Sequence, residues 1–65
     1  PFGSRVSTFV NQKIADKTIK YASYQVNDDQ KCAYGFAIFA DKSKKDILIC
    51  EDPADNTQLI IDQLT

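Results

Sequence analysis

The chain contains no histidine, no tryptophan and no methionine. Without histidine there is no side chain that titrates near neutrality in its ordinary state. There is also no Ser–His or Cys–His pair to activate a nucleophile, and no imidazole for a zinc site. Two cysteines alone do not close a structural zinc site. Glycine and proline occur twice each, so Lys44-Lys45 has no Gly-rich phosphate cradle beside it. No apolar run approaches the roughly 20 residues of a membrane-spanning helix. Neither sign of charge is massed. Eight Lys and Arg stand against nine Asp and Glu, for a net charge of −1, whereas a nucleic-acid binder normally presents a basic face. The acidic pairs Asp28/Asp29, Glu51/Asp52 and Asp52/Asp55 each fall where a turn or a helix start explains them. These absences imply no cofactor and no metal, and they point to a non-enzymatic protein.

What remains is an ordinary folding composition: 43% hydrophobic and 26% charged residues in 65. That length makes residues 1–65 one small α+β domain. It buries only about 60% of its extended-chain surface and so has little stability to spare. Pro1 to Ser4 read as a processed terminus or a cloning scar. A mature N-terminus at Pro1 would place the protein outside the cell; otherwise it is intracellular.

Residues 31–40, the longest apolar stretch, are aromatic-rich and bounded by polar turns, which predicts a central strand. Before it, Val6, Phe9, Val10 and Ile14 are spaced as one stripe of a helix over residues 5–16. Residues 18–26 favour a strand, and residues 27–30 a hairpin turn. That turn sets Val26 opposite Lys31, Tyr21 opposite Phe36 and Ile19 opposite Ile38. Residues 41–46 form a charged connection, and residues 47–51 a third strand. Placing Ala40 opposite Ile47 brings apolar residues together along both faces. Asp52-Pro53-Ala54-Asp55 carries the signature of a helix start, followed by Leu59, Ile60, Ile61 and Leu64 as its buried side.

The expected fold is therefore αβββα: a helix, a three-stranded antiparallel meander and a second helix, with both helices on one sheet face. Alternation puts Ile19, Tyr21, Tyr34, Phe36, Ile38, Ile47 and Ile49 on the covered face. The other face then holds Lys20, Ala22, Tyr24, Val26, Ala33, Gly35, Ala37, Phe39, Leu48 and Cys50, which is too apolar for a solvent face. A protein partner or a second copy is expected to dock on Tyr24, Val26, Gly35, Ala37, Phe39 and Leu48, or along the edge of strand 18–26. The competing expectation is that the N-terminal segment folds across this face.

The cysteines leave two readings open. A small secreted domain favours a Cys32–Cys50 disulfide. The preferred register opposes it, because Cys50 then faces Ala37. The register that joins them sets Phe36 against Asp46 and Ile38 against Lys44, which spoils the expected core face.

The predicted element order is similar to that of double-stranded-RNA-binding domains and of the Alu-binding proteins of the signal recognition particle. The resemblance implies an RNA-binding alternative using a cationic cluster of Lys31, Lys42, Lys44 and Lys45. Those families carry lysines at the start of their last helix, where this chain has Asp52, Pro53 and Asp55. The resemblance therefore implies a version specialised for protein contacts. A protein partner or homodimer is expected ahead of nucleic acid, in the manner of a processed secreted effector or inhibitor.

Overall fold

Phe2, Val6 and Val10 recur every fourth residue, and this buried stripe organises helix α1 (Phe2–Ala15) in the computed structural model, which describes residues 1–63. The stripe starts one turn earlier than the sequence pattern indicates, and Ile14 at its far end is 40% exposed. The helix closes with a Schellman arrangement. Lys17 adopts a left-handed φ of 69°, its N–H donates to the Ile14 carbonyl, and the Thr18 N–H donates to the Lys13 carbonyl.

Four antiparallel strands follow: β1 (Ile19–Asn27), β2 (Cys32–Phe39), β3 (Lys44–Asp52) and β4 (Asp55–Gln63), in sheet order β1-β2-β3-β4. The expected closing helix is thus corrected to a fourth strand. Asp52-Pro53-Ala54-Asp55 is a turn whose carboxylates cap the backbone locally. Asp52 Oδ1 accepts from the Ala54 N–H, and Asp55 Oδ1 accepts from the N–H and hydroxyl of Thr57. Pro suits the second position of such a turn as well as it suits a helix start. Beyond it, Leu59, Ile60 and Ile61 alternate across a strand instead of lining a helix. Leu64, assigned to that helix, lies outside the described residues. The αβββα resemblance to RNA-binding domains ends with this correction, because the observed order is αββββ.

The register between β2 and β3 is the second correction. Cys32 faces Cys50, Ala33 faces Ile49 and Gly35 faces Ile47. This differs by an odd number of residues from the expected pairing, so every β3 side chain changes face relative to β2. Phe36 does stand opposite Asp46, and Ile38 opposite Lys44. These pairs spoil nothing, because their side is not the core. The core is α1 packed on the other side: Phe2, Val6 and Val10 against Ile19, Ala33, Ala37, Ile47 and Ile49, all buried. Small residues on β2 admit the helix, and isoleucines on β3 fill the space beside them.

Between β1 and β2 the turn falls one residue later than expected. Asn27 faces Cys32 and Ser23 faces Phe36, with a bulge between Ile19 and Tyr21. This slip of the pairing is even, so the faces are kept from Tyr21 onward, but the bulge turns Ile19, expected beside Tyr21, to the helix side. Tyr21 becomes a diagonal rather than a direct neighbour of Phe36, at 6.1 Å between ring centroids.

Gly35 has a particular reason to be glycine. A Cβ there would lie 2.0 Å from the Ser23 carbonyl oxygen and 2.5 Å from Tyr24 Cα. Both are backbone atoms of β1, which no rotamer change can move aside. Gly35→Ala is expected to destabilise the fold by about 3 kcal/mol, the upper range for overpacking, read as a lower urea midpoint. A second prediction concerns the turns. The Ser43 hydroxyl and N–H hold the Asp41 carboxyl below its ordinary pKa of 3.8, and the Thr57 hydroxyl and N–H do the same for Asp55. A carboxyl lowered in the folded state stabilises fully above its unfolded pKa, and that contribution fades as pH falls through the folded value. NMR titration should find both carboxyls below 3.8, and Ser43→Ala and Thr57→Val should each return its partner upward.

Candidate docking face

Among the described residues a single helix covers one side of the sheet and leaves the other open. On the open side β1 presents Tyr21, Ser23 and Gln25; β2 presents Cys32, Tyr34, Phe36 and Ile38; β3 presents Lys44, Asp46, Leu48 and Cys50; and β4 presents Ile60 and Asp62. Tyr21 and Tyr34 are 55% and 56% exposed, and Ile60 is 38% exposed. Phe36, Ile38 and Leu48 are half-buried by their neighbours alone. The Phe36 ring lies tilted against Tyr21, with the Lys44 ammonium 4.5 Å from its centroid. Tyr34 stands between Gln25 on β1 and Leu48 on β3, and Leu48 faces Asp62. The patch is therefore aromatic on β1 and β2, aliphatic on β3 and β4, and edged by Lys44, Asp46 and Asp62.

The two cysteines close this side. Cys32 and Cys50 are bonded, with Cα atoms 4.1 Å apart. The Glu51 N–H donates to the Lys31 carbonyl, so the cysteines occupy the adjoining pair without ladder hydrogen bonds, where side chains approach most closely. The bond ties the two middle strands together on the side that has no helix.

The sequence-predicted residues fall differently. Tyr24, Val26, Gly35, Ala37 and Phe39 lie on the helix side, and only Leu48 of that set lies on the open side. Ala37 has no exposure at all, and Tyr24 and Phe39 pack against the core. The cause is the face reversal at β3: the side assigned as bare is the side that α1 covers. The space beside Gly35 is taken by β1 of the same sheet. The residues missed were Tyr21, Tyr34, Phe36, Ile38 and Ile60. The available signal was the run of small residues Ala33, Gly35 and Ala37, since a helix packs closely where side chains are small.

The lysines are not gathered into one cluster. Lys31 and Lys42 sit in different hairpin turns, each with a left-handed φ, of 54° and 71°. Lys44 and Lys45 belong to β3, not to a loop, so they project from opposite faces. Lys44 lies over Phe36, whereas Lys45 lies 5.9 Å from the Phe39 ring centroid and donates to Gln63 Oε1. Among the described residues no three metal-ligating side chains come together, and no helix is long and apolar enough to cross a membrane.

Comparison with family models, with curated proteins and with solved structures finds no match for this chain.

The disulfide closes a loop between residues 18 positions apart. Its reduction should cost about 3 kcal/mol through the freed unfolded chain. Urea unfolding with and without a dithiol reductant measures this. Coincident midpoints would show that the bond adds no stability.

Proposed function

We propose that this protein is a non-enzymatic interaction module that docks a protein partner on its open sheet face, with Tyr34, Phe36 and Leu48 at the centre. The observation that carries this reading is the exposure of two tyrosines on an uncovered face whose neighbours are Phe36, Ile38, Leu48 and Ile60. Tyrosine offers large contact area for little lost side-chain freedom and is enriched among residues that dominate binding energy. Lys44, Asp46 and Asp62 provide a polar rim of both signs, as interfaces have. The strands beneath are fixed by pairing and by the disulfide, so the face is preorganised. The disulfide also favours an oxidising compartment, and with it the processed secreted effector or inhibitor. The RNA-binding alternative has weaker support, since Lys31, Lys42, Lys44 and Lys45 are dispersed and Asp46 and Asp62 share the aromatic face.

Photo-crosslinking from position 34 in a native extract should yield a discrete adduct that excess unlabelled protein competes away. A Tyr34→Asp, Leu48→Asp double variant should compete at least about tenfold less well, as for loss of central contacts. Added salt should leave the adduct largely intact, whereas binding through phosphates would fall steeply. Equal competition by the double variant would exclude this face as the docking surface.

A further inference from the structure

Where α1 ends and β1 begins, the surface holds an apolar depression with a charged rim, apart from the docking face. Ile14, at the far end of the buried stripe of α1, is 40% exposed. Beside it lies a depression of about 440 Å³ lined by Ile14, Lys17, Ile19, Lys20 and Ala40, a volume within the range of small-molecule sites. Three features build it. The Schellman closure holds Lys17 at its left-handed φ of 69° directly after the helix. The Ala40 N–H donates to the Thr18 carbonyl, which ties the chain leaving β2 to the chain entering β1. The bulge in β1 makes Lys20 the extra residue, since Ile19 faces Phe39 and Tyr21 faces Ile38. Neighbours along a regular strand project to opposite faces. A bulge re-aims a side chain, and here the consecutive residues Ile19 and Lys20 line one depression.

We propose that this depression binds a free anionic amphiphile, an unbranched alkyl chain ending in a carboxylate. The lining selects that occupant. The side chains of Ile14, Ile19 and Ala40 offer only carbon, which suits the chain. Lys17 and Lys20 are exposed, and the one ion pair among the described residues, Arg5–Glu51, involves neither. The carboxylates next to the depression in sequence are engaged by their own turns. Asp16 accepts from the Thr18 N–H, and Asp41 accepts from the N–H and hydroxyl of Ser43. Two ammonium groups beside an apolar hollow thus lack a counter-charge, and a carboxylate supplies it through charge-assisted hydrogen bonds. A neutral amphiphile leaves both ammonium groups without a partner, and a small anion leaves the isoleucines unfilled. A concave site also fits one chain better than it fits the flat surface of a bilayer. The depression uses neither Tyr34 nor Phe36, so this inference stands or falls apart from the docking reading.

NMR titration of the intact, isotope-labelled protein with sodium decanoate tests it. The Ile14, Ile19 and Ala40 amides should shift to saturation below the concentration at which decanoate forms micelles, with Tyr34 and Leu48 unmoved. Decanol should bind about tenfold more weakly, as for the loss of a hydrogen bond to a charged group. Acetate, which has the head group without the chain, should not bind measurably. Lys17→Gln combined with Lys20→Gln should weaken decanoate about tenfold and leave decanol unchanged, a split that misfolding would not produce. Ile14→Ser should weaken both ligands alike. The absence of saturable shifts with decanoate would overturn the proposal. So would equal affinity for decanol, decanoate binding indifferent to the double lysine variant, or shifts confined to Tyr34 and Leu48. Sedimentation with phosphatidylglycerol vesicles, without a response to decanoate, would assign the site to a membrane surface and equally overturn it.

Discussion

Side chains alternate along a strand, so the offset between two paired strands determines which of their residues share a side. In this protein the offset between β2 and β3 governs the rest. With Cys32 opposite Cys50, the small residues Ala33, Gly35 and Ala37 share a side with Ile47 and Ile49. That combination gives a shallow trough bordered by isoleucines, into which Phe2, Val6 and Val10 of α1 fit. An odd offset would place Ile47 and Ile49 with Tyr34, Phe36 and Ile38. The side holding Ala33, Gly35 and Ala37 would then have too little apolar bulk to meet a helix. The disulfide and the burial of α1 therefore select the same register from opposite sides of the sheet.

The first helix, the first two hairpin strands and the core of the third strand are legible in the sequence because each rests on a local pattern. The helix shows in the spacing of Val6 and Val10, the strands in β-branched and aromatic runs, and the first turn in Asn27, Asp28 and Asp29. Two features are not local. A turn of Asp, Pro and Asp offers the same carboxylate capping to a helix start and to a tight turn, so residues 52–55 do not distinguish them. The deciding signal lay downstream: the β-branched Thr57, Ile60 and Ile61 prefer a strand. The offset of β3 also depends on residues far apart in sequence. Matching apolar to apolar across two strands assumes that both of their sides are buried. Phe36–Asp46 and Ile38–Lys44 are acceptable neighbours once one side faces solvent.

The same dependence explains why the residues expected on the uncovered face lie on the helix side. An apolar sheet face left without a helix was expected, and one exists, but its members are Tyr21, Tyr34 and Phe36 instead of Tyr24, Gly35 and Ala37. The error is a reversal of faces, which follows from one wrong offset. Gly35 illustrates the ambiguity. Glycine in a strand marks a close backbone approach, and the sequence does not say from where. Here the approaching backbone is β1, through the Ser23 carbonyl and Tyr24.

A four-stranded sheet with one helix can be held by burial on one side only. Among the described residues the open side has no second layer to exclude water, so cohesion there comes from contacts that persist in solvent. The Cys32–Cys50 bond is one, since a covalent link needs no burial. The tilted Tyr21–Phe36 pair and the Lys44 ammonium over the Phe36 ring are others, each a cross-strand contact between side chains that remain partly wet. This division of labour leaves the open side free to be apolar without being structurally needed as core. Substitutions of Tyr34 or Leu48 thus act on a surface that the fold does not rest upon. Ala37 and Ile47 on the helix side have no such freedom, since neither has any exposed area to give to a partner.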